Sequence, residues 1–212
     1  MPVAKIYGLP LSTCAQRVMM ALHEHNVPFE FVPVSFAEIK ESAHLARQPF
    51  GQMPVFEDVD GFQVYESRAI IHYIDAKYKG QGNDLVPADI KQAALVEQWL
   101  SVEYSNFNPA TTAIVTETVF KPHLFKIEGD MANAEAQAAK LAKILDVYEQ
   151  HLSKNEYLAN NQFSLADLAH LPYGQHLARG QFGHLITSRP HVNAWWNRIT
   201  SRPTWQKVLS HQ

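Results

Sequence analysis

Hydrophobic positions in the first 80 residues alternate between short runs and helical spacing. Residues 3–7 form an apolar run that ends at a Gly-Leu-Pro turn, and apolar residues then recur every three or four positions up to Leu22. This pattern predicts a strand, a loop and a helix. A second strand is predicted at 29–32, and two more flank the turn at 58–61 as a hairpin. With a weakly defined helix at 39–46 and another through Ile70, Ile74 and Tyr78, the predicted order is β-α-β-α-β-β-α.

The rest of the chain has helical periodicity. The segment KGQGNDLVPAD, residues 79–89, has two glycines and a proline but little periodicity, so it is interpreted as a linker. The predicted organisation is a first domain at 1–80, a linker at 81–89 and an all-helical domain at 90–212. Pro109 is expected to bend or interrupt the first long helix. Ser164 and Asp167 have the spacing of a capping box, and Pro190 and Pro203 are placed to begin helices.

Composition excludes several classes of protein. Of the 212 residues, 46% are hydrophobic and 18% charged, and the net charge is −3, so no global field attracts nucleic acid or a membrane surface. The single cysteine, Cys14, excludes an intramolecular disulfide and any zinc site that needs two thiolates. The eleven histidines lack the spacing of a zincin helix, and no metal site is predicted. Without a signal-like N-terminus or a membrane-length apolar run, the expected location is the cytoplasm.

Two polar segments suggest a ligand. The turn-rich segment QPFGQMP, residues 48–54, contains a Met53-Pro54 corner whose neighbouring backbone groups are available to an extended peptide. Glu66 and Ser67 stand at the head of a helix, where free N–H groups favour a carboxylate. These features together indicate a small charged peptide bound at both ends. The alternatives are a turn that merely joins two strands and an ordinary helix cap.

Several motifs carry a family resemblance. GLPLSTCAQRV at 8–18, QPFGQMP at 48–54, ESRAI at 66–70 and FSLADL at 163–168 are similar to motifs of glutathione S-transferases, most closely the phi class. The resemblance spans essentially the whole chain. It implies a thioredoxin-like N-terminal domain with a mixed four-stranded sheet and a helical-bundle C-terminal domain. The implied activity is conjugation of reduced glutathione, a co-substrate, to hydrophobic electrophiles without a tightly bound cofactor; reduction of hydroperoxides is a possible second activity.

The resemblance also implies roles for individual residues. The Ser12 hydroxyl, supported by Thr13, would donate to the thiolate of glutathione, and a bond of about 1.5–3 kcal/mol lowers the thiol pKa by one to two units. The other implied glutathione-binding residues are Lys40, Gln52, Met53, Pro54, Glu66 and Ser67. Lys40 would receive the glycyl carboxylate. Phi-class proteins often have a His-Lys pair here, and Ile39 stands at the histidine position when the sequence is counted back from Gln52. The expectation is that recognition of the glycyl carboxylate is weaker or falls to Lys40 and Gln52, unless the intervening loop is shifted by a residue.

The pocket for the electrophile is less clearly defined by sequence. Its candidate wall residues are Leu11, Phe36, Phe107, Thr111, Ile114 and Phe120, for which core packing is the alternative role. A homodimer is implied by the family, with Phe50 inserted in the partner subunit.

Other functions remain open at this point. Ser12 also suits a simple helix cap, and Lys40 a solvated surface position. An alternative function for this protein is that of a noncatalytic ligand-binding carrier with the same fold. A Cys14-dependent thiol transferase is a further alternative, although two helical steps of about 100° separate Cys14 from the direction of Ser12. Cys14 is therefore expected to be a buried apolar residue.

Overall fold

The computed structural model describes residues 3–159 and 161–211. The contacts divide the chain into two compact units, one of Met1–Leu85 with Arg202–Gln212 and the other of Val86–Ser201. The predicted domains differ from this division at the C-terminus, where the structure groups the last helix with the first unit.

The first unit is built on a mixed four-stranded sheet. Its strands are β1 (Ala4–Gly8), β2 (Phe29–Pro33), β3 (Val55–Glu57) and β4 (Gln63–Tyr65), in the spatial order β2-β1-β3-β4. β1 pairs in parallel with β2, whereas the β1–β3 and β3–β4 pairs are antiparallel. Two parallel neighbours need a crossover connection, which helix α1 (Thr13–Glu24) provides. The predicted thioredoxin-like fold class is confirmed.

Two further helices follow in this unit, α2 (Ser42–Leu45) and α3 (Ser67–Lys77). The predicted helix at 39–46 is wrong in its extent, because the chain forms a 3₁₀ turn at Glu38–Lys40 and then α2. Glu41 between them has an extended backbone and caps α2, so no continuous helix forms. The core is made by residues such as Ile6, Val18, Phe56 and Ile70, which have no solvent exposure.

The regular structure described for the second unit, residues 86–159 and 161–201, is helical. Its helices are α4 (Ile90–Val102), α5 (Asn108–Val115), α6 (Met131–Leu152), α7 (Leu165–Arg179), α8 (His184–Thr187) and α9 (Pro190–Thr200). Wider π-helical segments at Glu103–Phe107 and Thr116–Phe125 precede and follow α5. Pro109 stands in the first turn of α5 directly after the first π segment, so the predicted interruption is confirmed. Proline lacks the N–H that a regular helix would need at this point.

A buried carboxylate organises the core of the helical unit. The Asp167 carboxylate accepts the backbone N–H of Ser164 at 3.0 Å, which confirms the predicted capping box, and the indole N–H of Trp195 at 2.8 Å. It also accepts the N–H of Leu158 at 3.0 Å. Burial raises its pKa in spite of these hydrogen bonds, because an enclosed carboxylate loses its hydration.

The last helix, α10 (Pro203–Leu209), belongs to the first unit. Its N-cap residue Arg202 donates two hydrogen bonds, of 2.8 and 2.6 Å, to the buried carboxylate of Glu24 at the end of α1. Thr204 and Asn83 also donate to this carboxylate. Although burial alone would raise the pKa of Glu24, the bonds from these partners lower it. This ion pair joins the start of α10 to the end of α1.

Across residues 3–159 and 161–211, none of the helices combines the length and the apolar character that a membrane crossing requires.

Candidate active site

Ser12 occupies the N-cap position of α1. Its extended backbone (φ −66°, ψ 123°) ends the loop after β1, and its Oγ accepts the N–H of Ala15 at a long 3.4 Å. Because this cap uses an oxygen lone pair, the hydroxyl proton stays available for a ligand. The side chain is half-buried. Capping and donation to a thiolate are therefore compatible roles for one hydroxyl at the positive end of the helix dipole.

The next two residues differ in exposure. Thr13 is buried, whereas Cys14 is half-buried, with its Sγ 3.9 Å from Nη1 of Arg17. The expectation of a buried apolar cysteine is therefore wrong, because this turn of α1 faces a guanidinium and some solvent.

The loop at 48–54 is held by two side chains that the sequence analysis did not single out. The Gln48 Oε1 accepts the N–H groups of Phe50 at 2.7 Å and Gln52 at 3.2 Å, and His44 Nε2 lies 2.7 Å from the carbonyl oxygen of Gln52. This distance requires the Nε2-protonated form of His44 as donor. Gln48 and His44 are buried, so the loop is fixed from inside. The position of Gln48 at the start of QPFGQMP was the signal available for it.

The end of this loop is the Met53-Pro54 corner, whose peptide bond is cis. A Cβ atom placed on Gly8 would lie 3.4 Å from the Cβ of Met53, so the corner lies beside the C-terminal end of β1. Within the described residues, the backbone N–H and C=O of Met53 make no hydrogen bond. Pro54 is buried, Met53 is half-buried and Gln52 is exposed. An unpaired donor and acceptor on one residue suit an extended peptide.

Lys40 approaches the same loop. Its Nζ donates to the carbonyl oxygen of Gly51 at 3.2 Å and lies 3.5 Å from that of Phe50. Gly51 has φ +61°, and an added Cβ there would lie 2.9 Å from the backbone carbonyl oxygen of Ile39, so this position favours glycine. Ile39, the residue before Lys40, packs against the core cluster of Tyr7, Val34 and Val55.

The N-terminus of α3 has a strained backbone at Glu66 and a hydrogen bond between Ser67 and Arg17. Glu66 is its N-cap and has φ 68° and ψ 105°, a conformation that costs a non-glycine residue about 1–3 kcal/mol and is concentrated at functional sites. The Ser67 hydroxyl accepts a 2.8 Å hydrogen bond from Nη1 of Arg17, a residue of α1 without solvent exposure. Arg17 is the main functional candidate that sequence reasoning missed. Its place in STCAQRV was the available signal, but its contact with Ser67 depends on how α1 and α3 pack.

The other end of α3 is fixed by a buried carboxylate. Asp58 accepts the hydroxyls of Tyr73 and Tyr78, each at 2.6 Å, and lies 2.7 Å from the ammonium of Lys77. Burial alone would raise the pKa of Asp58, but these bonds and the N–H of Val59 lower it to about 2. This cluster anchors α3 to the β3–β4 hairpin.

The candidate wall residues fall into two groups. In the first unit, Leu11 and Phe36 are 64% and 53% exposed, so the core alternative is wrong for Phe36. In the helical unit, Phe107, Thr111 and Ile114 are buried, and Phe120 is half-buried beside His176. The ring of Phe107 lies 4.6 Å from that of His170 between centroids, which supports a packing role for Phe107.

Phe50, the expected dimer residue, is 66% exposed, with its ring centroid 6.3 Å from that of Tyr65.

Comparison with known proteins agrees with this geometry. Residues 6–82 match the family model "Glutathione S-transferase, N-terminal domain", and residues 107–203 match "Glutathione S-transferase, C-terminal domain". Glutathione S-transferase F10 of Arabidopsis thaliana is 45% identical over 210 residues, which cover 97% of this chain and 96% of the relative. Glutathione S-transferase 3 of Zea mays is 44% identical over 97% of this chain and 93% of its own.

Solved structures show the same relationship. Glutathione transferase F7 from Populus trichocarpa superimposes with a TM-score of 0.95 at 45% identity, covering 99% of each chain. A glutathione S-transferase I from maize, solved with an atrazine glutathione conjugate, gives a TM-score of 0.90 at 34% identity over 99% of this chain and 97% of that one. The chain therefore belongs to the glutathione S-transferase family, and it is an enzyme of the phi class that uses glutathione as co-substrate.

Proposed function

We propose that Ser12 stabilises the thiolate of bound glutathione and that this thiolate attacks a hydrophobic electrophile to give a thioether. The observation that carries the proposal is the N-cap geometry of Ser12, whose hydroxyl proton is not used by its 3.4 Å cap bond. The hydrogen bond from the Ser12 hydroxyl to the sulfur and the dipole of α1 both favour the thiolate, so the serine needs no neighbouring base. Thr13, the first residue of α1, supports this turn.

The tripeptide is proposed to lie along the edge formed by the corner and the head of α3. The free N–H and C=O of Met53 pair with the cysteinyl unit, and Pro54 fixes this corner. The γ-glutamyl end of glutathione lies at Glu66 and Ser67. The carboxylate of Glu66 binds the ammonium of the ligand, and the N–H groups at the start of α3 bind its α-carboxylate. Lys40 binds the glycyl carboxylate of glutathione. Gln52 also contacts the γ-glutamyl end of the tripeptide. All these residues belong to the first unit.

The hydrophobic co-substrate is proposed to contact Leu11, the residue before Ser12, together with Phe36. Both are large exposed apolar side chains of the first unit. In the helical unit, Phe120 is half-buried and stays a candidate substrate contact by itself, whereas the burial of Phe107, Thr111 and Ile114 favours packing.

A cytoplasmic homodimer completes the proposal. Phe50 is a large apolar side chain with 66% exposure on a loop that is held rigidly by Gln48, which suits insertion in a partner subunit. The single cysteine suits a reducing compartment.

The test compares Ser12→Ala with the wild type and with Ser188→Ala, an exposed serine outside this site. Glutathione uptake is measured by calorimetry, the bound thiol's pKa by ultraviolet absorbance of the thiolate, and turnover with several aryl halides. We expect Ser12→Ala to bind glutathione, to raise the thiol pKa by about one to two units and to lower turnover at neutral pH about 10- to 100-fold. An unchanged thiolate titration removes Ser12 from this role.

Assays of glutathione binding, turnover and disulfide reduction distinguish the remaining alternatives. Glutathione binding without turnover of any electrophile or organic hydroperoxide would favour a noncatalytic carrier. Loss of glutathione-dependent disulfide reduction in Cys14→Ser would favour the thiol transferase, whereas we expect that variant to keep its conjugating activity.

A further inference from the structure

A groove of ≈ 530 Å³ lies on the first unit away from the proposed glutathione site. It is lined by the end of α1, the connection to β2, the first residue of β2, helix α10 and a residue just after that helix: His23, Asn26, Val27, Pro28, Phe29, Lys207 and His211. His23 follows Thr13 by ten residues along α1, which corresponds to about 15 Å of helix axis. The volume of the groove is within the range of about 300–1,000 Å³ that is usual for small-molecule pockets.

Three rings surround one part of this groove. The centroid of His23 lies 5.2 Å from that of Phe29 and 6.0 Å from that of His211, and the last two are 6.2 Å apart. Val27 and Pro28 add apolar surface. Clustered rings of this kind favour a flat aromatic body, which gains both apolar burial and ring contacts.

The electrostatic surroundings favour an anion. Lys207 and the two histidines are the titratable residues among those that line the groove. The nearest carboxylate on α1, Glu24, is committed to Arg202 by bonds of 2.8 and 2.6 Å. Burial, His211 and Lys207 lower the pKa of His23, while Glu24 opposes this change. The ammonium of Lys207 therefore gives the groove a positive charge that a bound anion would compensate.

One residue that lines the groove also carries a buried polar atom without a partner. The Nε2 of His23 is buried and, within the described residues, makes no hydrogen bond.

We propose that this groove binds a planar aromatic carboxylate, with its ring system against Phe29, His23 and His211 and its carboxylate at Lys207. A metal ion fits this groove less well, because Lys207 would repel it. In addition, the structure shows no group of three or more metal-ligating side chains among the residues it describes. The anion also favours protonated imidazoles, so affinity rises as pH falls through the histidine range.

Naphthoate is the probe, and neutral naphthamide has a similar shape without the charge. Both are titrated calorimetrically with saturating S-hexylglutathione, which blocks uptake at the proposed glutathione site. We expect naphthoate to bind under both conditions, at least tenfold more tightly than naphthamide and more tightly at about pH 6 than at about pH 8.

Two variants locate the binding. Lys207→Glu and Phe29→Ala are each expected to weaken naphthoate binding about tenfold or more, whereas Lys140→Glu, a charge reversal at an exposed position of α6, leaves it unchanged. Circular dichroism confirms that each variant is folded. Loss of naphthoate binding in the presence of S-hexylglutathione, or equal affinity in folded Lys207→Glu, overturns the proposal. Zinc uptake that depends on His23 and His211, without naphthoate uptake, also overturns it in favour of a metal site.

Discussion

Replacing Asp58 with asparagine tests how α3 is held in place. The carboxylate receives hydroxyl bonds of 2.6 Å from Tyr73 and Tyr78 and an ion pair of 2.7 Å with Lys77, and its side chain has no solvent exposure. Its pKa is lowered from 3.8 to about 2. At 1.36 kcal/mol per pKa unit, this difference contributes about 2 kcal/mol to the free energy of unfolding at neutral pH.

The sign of the pH dependence follows from the lowered pKa. The stabilisation is fully present well above the unfolded-state pKa and is lost as pH falls toward the folded-state value, with about half remaining near pH 3. Urea unfolding of the wild type and Asp58→Asn is therefore measured from neutral to acid pH. We expect a difference of about 2 kcal/mol at neutral pH that shrinks on acidification.

A matched control separates this effect from general loss of charge. Glu135→Gln removes an exposed carboxylate of α6 and is expected to change the free energy of unfolding by less than about 0.5 kcal/mol. If Asp58→Asn shows a pH-independent difference, or none beyond the control, the cluster does not act through the ionised carboxylate.

Three further changes test other contacts. Arg17→Met removes the 2.8 Å bond to the hydroxyl of Ser67 and is expected to weaken glutathione binding about tenfold or more by calorimetry; unchanged affinity in folded protein would contradict a role for it. Gly51→Ala places a Cβ 2.9 Å from the backbone carbonyl oxygen of Ile39 at φ +61°, and we expect a loss of stability of about 1–3 kcal/mol in urea together with weaker glutathione binding. The pKa of His25 is raised because bonds to its carboxylate and backbone partners outweigh burial, so its stabilisation is complete below the unfolded-state pKa and is lost as pH rises. His25→Asn should therefore destabilise the fold more at about pH 6 than at about pH 9, and an equal effect at both would refute this charge-dependent role.

Much of the local structure followed from the sequence because its causes are local. Strand and helix order depend on the spacing of neighbouring apolar residues, and the capping box at Ser164 depends on residues three positions apart. The interruption at Pro109 needs only the missing N–H of proline. The predicted helix at 39–46 was too long because Glu41 has an extended backbone between two short helical turns, which the spacing of apolar residues does not reveal.

The candidate site was only partly predictable for the same reason. Its motifs identify Ser12, the Met53-Pro54 corner and the head of α3, and these assignments stay predictions until ligand binding is measured. The buried supports of the loop and of Ser67 were missed, since their side chains resemble ordinary polar surface residues in the sequence.

By itself, the sequence determined the order of elements, the positions of the turns and caps, and the family, because each is carried by residues close together in the chain. Only the tertiary structure decided that Arg17 meets Ser67 across 50 positions and that Arg202 meets Glu24 across 178. Such pairs form when separately specified helices dock, and the desolvation of buried charges then requires that each one find its partner in space.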